Sequence, residues 1–134
     1  VDDLVQWLRA QFDEDERIAQ AADAELSNVF TRIETFDPEM AADERQIMEH
    51  RPARALAEVD AKRRILDLYA SSVDDRSALR ARMREVIYTK PDELSGLHRQ
   101  ESALIETAEQ MAPVVRLLAL PYANRPGYRE EWRP

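Results

Sequence analysis

Residues 4–36, LVQWLRAQFDEDERIAQAADAELSNVFTRIETF, decide the fold class. Val5, Leu8, Phe12, Ala19, Ala22, Leu26, Val29, Ile33 and Phe36 follow one alternating three-and-four spacing, which Asp15 alone interrupts. Side chains spaced this way share one face of an α-helix, and the near-heptad interval favours long, shallow-angle contact with partner helices. Thirty-odd residues at a rise of about 1.5 Å make a rod of roughly 50 Å. Such a rod is expected to project, bend or pair with another subunit.

Working outward, Asp2 or Asp3 is placed to cap this first helix, which the spacing predicts over residues 3–36. Trp7 lies off the main stripe beside Leu4, where it suits a contact with the C-terminal tail or a neighbouring helix. Asp37-Pro38-Glu39 is a restart signal, with a cap, a proline at the first helical position and an acid in the first turn. A short helix over 38–50 follows, and Pro52 either ends it or kinks a longer one. Leu56, Val59, Leu66, Ala70 and Val73 mark a helix over 53–70, with Arg63 on the same spacing. Residues 71–77 read as a loop, and Leu79, Met83, Val86 and Ile87 carry a short helix over 77–88. A second proline restart at Pro91 opens the last helix, 92–119. Its stripe runs from Leu94 to Leu118, is interrupted once by Glu101, and is expected to bend at Pro113. The matching stripes make the first and last helices natural antiparallel partners.

The expected fold class is therefore all-α: an elongated antiparallel bundle of four to five helices in one domain, 1–134, with an irregular aromatic tail over 121–134. Two glycines in 134 residues argue against nucleotide-binding folds built on glycine-rich turns and against tight hairpins. The absence of cysteine removes disulfides, thiolate chemistry and cysteine-ligated zinc. No run approaches the length of a membrane span, and the cytoplasm is the expected compartment.

Charge is unevenly placed. Residues 1–50 hold 14 acidic and 4 basic side chains, a net of −10, whereas residues 51–134 carry a net of +2. The acidic half is a poor surface for nucleic acid, because phosphate contacts would have to overcome repulsion. Lys62-Arg63-Arg64 is the strongest basic run, and its expected role is to pair with the acids of the first helix. Asp13, Glu14 and Glu16 form the acidic cluster that a basic partner would meet.

Few constellations carry chemistry. Asp15 and Glu101 are each the single acid on a long apolar stripe, so close packing of their helices would bring them together, with Arg63 as counter-ion. Such acids sit at the rim or form a buried pair that fixes register. The alternative is a carboxylate site for a divalent metal between helices. Against a metal stands the absence of any Glu-x-x-His, with only His50 and His98 available. Glu34 and Asp37, Glu106 and Glu109, and Asp13 and Glu16 are spaced like the magnesium-holding acids of helical pyrophosphatases, but 27 acids produce such pairs by chance. The serines lack any nucleophile context and suit capping and surface roles.

Residues 52–66, PARALAEVDAKRRIL, and 116–133, RLLALPYANRPGYREEWR, resemble a family of small uncharacterised proteins found in actinobacteria and their phages. The opening Asp3-Leu4-Val5, Leu8-Arg9-Ala10 and Asp13-Glu14-Asp15-Glu16 are similar to that family's start. The resemblance implies a common fold and brings no activity with it. Members often carry Cys-Pro where this chain has Ala112-Pro113, and Asp-Pro where it has Arg51-Pro52.

In the tail, Tyr122, Tyr128 and Trp132 are expected to fold back over the bundle as a clasp, with Asn124-Arg125-Pro126-Gly127 as the turn. The same aromatic and arginine surface is a candidate for binding. The functional expectation is a small, acidic, non-enzymatic interaction or accessory protein that associates with a protein partner, a second copy of itself included. No catalytic residue, cofactor, nucleic acid or membrane is expected. The alternative is a metal-dependent nucleotide phosphohydrolase working through interhelical carboxylates, Asp15 and Glu101 among them.

Overall fold

The structure, a computed structural model, describes residues 2–32 and 42–134, the side chains of 26–32 excepted. Among the described residues there are four α-helices and no strand: α1 (Asp3–Arg32), α2 (Ala42–Glu49), α3 (Pro52–Thr89) and α4 (Leu94–Ala119). Three short 3-10 turns, Pro91–Glu93, Leu120–Tyr122 and Glu130–Trp132, complete the elements. The all-α class expected from the spacing is the class found. The expected end of the first helix at Phe36 and the restart at Asp37-Pro38 fall outside the described residues.

Local chemistry sets each boundary. Asp2 Oδ1 accepts a hydrogen bond from the Leu4 amide at 3.0 Å, which satisfies one of the orphan donors at the start of α1. α2 and α3 are separate, because α2 ends at Glu49 and Pro52 takes the first position of α3. Arg54 ties the junction, donating to the Glu49 carbonyl at 3.1 Å and to the Glu58 carboxylate at 3.1 Å.

α3 corrects the expected loop at 71–77, since it runs unbroken through that segment. Ser72 Oγ donates to the Tyr69 carbonyl at 2.7 Å and Ser77 Oγ to the Val73 carbonyl at 3.3 Å. The serines thus bond back into their own helix instead of opening a loop. Ser72 is also buried, so tertiary packing overrides the turn-like composition. At the far end, Lys90 and Pro91 break α3, and the 3-10 turn reverses the chain into α4. α4 continues past Pro113 as helix, and the proline is exposed.

The chain forms two compact units. One comprises residues 1–8 and 64–134, and the other residues 9–63. The core of the first holds Leu4, Val5, Leu8, Leu66, Ala70, Val115, Ala119, Tyr122 and Trp132. Val86 and Leu97 are buried where α3 and α4 turn back on each other. In the second unit Phe12, Ala19, Pro52 and Val59 are buried.

Within the first unit, α3 and α4 form an antiparallel hairpin. Arg80 Nε reaches Glu101 Oε1 at 3.4 Å, so residues 78–79 of α3 lie level with 102–103 of α4. The antiparallel neighbour this unit gives α4 is therefore the preceding helix, joined to it by a tight turn. Of α1, expected as that partner along its length, only the opening turns through Leu8 belong to this unit.

Candidate functional site

The C-terminal tail makes a close set of specific contacts with the first turns of α1. Pro121 cannot continue α4 as a hydrogen-bond donor, and the chain turns through Leu120–Tyr122 and then through Arg125 to Tyr128. Gly127 has φ +87°, a left-handed conformation that L side chains disfavour. A Cβ there would stand 2.9 Å from Trp7 Nε1 and 3.1 Å from its Cδ1. The indole can lie this close because Gly127 has no side chain, and Trp7 Nε1 donates to the Pro126 carbonyl at 3.0 Å. Trp7 stacks edge-on with Tyr128 at 5.6 Å and lies 5.5 Å from Trp132. Tyr128 and Trp132 are 6.0 Å apart at nearly a right angle. These separations fall in the favourable range for aromatic pairs.

Three arginines cover the rings from outside. Arg125 sits 4.7 Å over Tyr122, Arg129 5.2 Å over Trp132 and Arg133 6.0 Å over Tyr128. Arg129 also reaches Asp3 at 3.0 Å, tying the tail to the first turn of α1. Arg133 pairs with Glu130, and its guanidinium holds the Glu130 carboxyl below its ordinary range. Of the aromatic residues expected to form a surface, Tyr122 and Trp132 are buried and Tyr128 is half-buried. Their positions are those of the expected clasp. What an approaching molecule meets here is the arginine rim.

Replacing Gly127 with alanine is expected to cost about 2–3 kcal/mol. Roughly 1–2 kcal/mol comes from the left-handed backbone, and about 1 kcal/mol from moving the indole off its carbonyl partner. Urea denaturation checks this, and an unchanged midpoint would show that the turn does not need glycine.

A shallow cleft beside the clasp is lined by Asp2, Leu4, Tyr69, Val115, Arg116 and Trp132, among others. Tyr69 donates to Asp2 Oδ2 at 3.4 Å, and burial, with the Asp2 charge added, pushes the phenol above its ordinary value.

In the second unit, Arg63 answers the expectation for the basic run. Its Nη2 bridges Asp13 Oδ1 and Glu16 Oε2, each at 2.6 Å, and these bonds hold its guanidinium above its ordinary range. Glu14 pairs with Arg17 at 2.6 Å. The three acids expected to meet a basic partner, Asp13, Glu14 and Glu16, therefore already have intrachain arginines. Arg63→Met is expected to lower stability by up to about 1 kcal/mol at low salt, with the deficit shrinking as salt screens the wild-type pairs. Equal losses at low and high salt would contradict an electrostatic role.

Asp15 and Glu101 lie in different units. Arg63, offered as their counter-ion, is held by Asp13 and Glu16, and Glu101 is instead served by Arg80. A count of helical levels back from the Pro91 turn would have found that pair. Glu101 retains 17% of its side-chain exposure. One turn from Arg80, Arg76 has its Nε shut off from solvent with no acceptor among the described residues, a destabilising burden on the hairpin. His50 and His98 are both exposed. Among the described residues, no three His, Asp or Glu side chains group closely enough to hold a metal ion. None of the described helices is long and apolar enough to cross a membrane.

The family whose model matches the chain is described as "Family of unknown function (DUF6221)", and the match covers residues 1–134. No curated protein matches. No solved structure matches either.

Proposed function

The chain belongs to DUF6221, a family of unknown function, and on that premise we propose that it is a non-enzymatic interaction protein that works by presenting helical surface to a second polypeptide, a copy of itself in the first instance. The observation that carries this reading is the thin cover over the α3–α4 hairpin. Over residues 72–110 only Ser72, Val86 and Leu97 are buried. Leu79, Met83, Leu104, Ile105 and Ala108 stand half-covered on a two-helix seam. Two helices alone cannot enclose such a stripe, and an amphipathic helix gains most of its stability when its apolar face is covered. Further exposed apolar side chains add to it. Val114 and Leu117 are 40% and 56% exposed on α4, and Leu68 is 63% exposed on α3.

The reading belongs to the hairpin more than to the acidic start of α1, where Asp13, Glu14 and Glu16 are satisfied within the chain. Light scattering across a dilution series tests it. The expected mass at tens of micromolar exceeds the 15.5 kDa of one chain and falls towards it on dilution. A compact monomer at every concentration would overturn self-association.

A further inference from the structure

We propose that a second copy of this chain docks on one face of the α3–α4 hairpin, antiparallel to the first, about a two-fold axis passing beside Ala78 and Ala103. The proposal rests on the self-association reading above and names its surface. A shallow groove runs along this face, lined by Asp75, Ala78, Leu79 and Arg82 of α3 and by Gln100, Ala103 and Leu104 of α4. Its floor is two leucines, half-buried, and its shoulders are two exposed alanines. Small shoulders let another helix approach closely, and the leucines provide apolar surface for it to cover.

The charges identify the occupant. Asp75 and Arg82 project from the same face of α3, two turns apart, with Ala78 and Leu79 midway between them. An antiparallel copy centred on that midpoint sets Asp75 against Arg82 of the partner and Arg82 against Asp75 of the partner. This reciprocity is what an isologous two-fold interface requires. Among the described residues Asp75 pairs with no cation, and Arg82 reaches only Glu93, at 3.9 Å.

α4 repeats the pattern at the same level. The Arg80–Glu101 contact sets 78–79 beside 102–103. Arg99 and Glu106, both exposed, flank Ala103 at three residues or four on either side. They meet reciprocally under the same two-fold axis. Each hairpin thus has an acidic end, with Asp75 and Glu106, and a basic end, with Arg82 and Arg99. Antiparallel docking lays the acidic end of one copy on the basic end of the other. Both helices give the same centre independently.

Net charge favours this face as well. Residues 72–110 carry 8 acidic and 6 basic side chains, whereas residues 1–50 carry a net of −10. Two copies meeting through their acidic regions would repel; two hairpins are nearly neutral and locally complementary.

Charge reversal tests the proposal with the full chain, on exposed positions that the fold tolerates. D75R and R82D each set like charges opposite one another twice per dimer, so each is expected to weaken association at least about tenfold. The double variant D75R/R82D restores opposite charges and is expected to associate within about threefold of wild type. An equimolar mixture of the two single variants is expected to form a mixed dimer, because each supplies what the other lacks. Helical circular dichroism confirms that every variant is folded. A monomeric wild type would overturn the self-association reading and this proposal together. A dimeric wild type whose dissociation constant is unmoved by D75R and R82D would overturn this proposal alone, as would a double variant no tighter than either single one.

Discussion

Trp132→Ala is expected to remove about 3–5 kcal/mol of stability, enough to lower the melting temperature by roughly 10 °C or more. Trp132 is 7% exposed and sits at the end of the chain in the last 3-10 turn. Its amide donates to the Arg129 carbonyl at 3.0 Å, and its ring packs against Trp7 at 5.5 Å, Tyr128 at 6.0 Å and the Arg129 guanidinium. Truncation therefore removes a large buried area and leaves Trp7 without one face of its cluster. The expected loss exceeds the cost of the area alone, because each aromatic pair adds about 0.5–1.5 kcal/mol. Circular dichroism under urea is the suitable readout, since the substitution removes one of only two tryptophans. Deleting residues 122–134 is the stronger form of the same experiment and should destabilise further, because Tyr122 and Tyr128 go too. A loss below about 1 kcal/mol for Trp132→Ala would mean that the tail merely rests on the helices.

Phe12→Ala is expected to cost a similar 3–5 kcal/mol, through the other unit. Phe12 is fully buried and is one of the largest fully buried side chains among the described residues. Removing so large a ring leaves a cavity, and that lost packing adds to the lost transfer energy. Phe12→Leu keeps most of the volume and should cost less than about 2 kcal/mol. Equilibrium denaturation of both variants checks the contrast. Equal, small effects would show that this unit contributes little to the stability measured.

Much of the fold was readable because helical spacing is a local property. The stripe from Val5 to Ala19, a cap at Asp2 or Asp3 and the restart at Pro91 each follow from a few neighbouring residues, whereas Pro52 left a break and a kink equally open. The loop expected at 71–77 failed for the opposite reason. Ser-Ser-Val-Asp-Asp-Arg-Ser has turn-forming composition, but Ser72 is packed inside and its hydroxyl bonds back to Tyr69, which local composition does not disclose. The division into two units was equally out of reach, because α1 and α3 each supply residues to both.

The candidate site was half legible. Three aromatic residues around an Asn-Arg-Pro-Gly turn pointed to a clasp, while Trp7 suited either that tail or a neighbouring helix. The reason Gly127 is needed there lies in the approach of a residue 120 positions away, which only the folded chain reveals. Asp15 and Glu101 drew attention as lone acids on apolar stripes, yet stripe position says nothing of the partner. Arg80 continues the three-and-four spacing that carries Arg63, but the loop expected at 71–77 cut it off from that stripe. The reciprocal charges at 75, 82, 99 and 106 also needed the hairpin's register before their symmetry had meaning.

The most direct measurement uses the absence of cysteine. Ala78→Cys places a single thiol beside the proposed two-fold axis in a chain that otherwise has none. Mild oxidation at micromolar concentration should convert this variant to a disulfide-linked dimer. Ser95→Cys is the control, since its two copies would lie roughly 20 Å apart in the antiparallel arrangement, beyond disulfide reach. Rapid cross-linking of Ala78→Cys with none for Ser95→Cys is the predicted result. Equal cross-linking of both, or cross-linking of Ser95→Cys alone, would contradict a hairpin that docks on itself through Ala78.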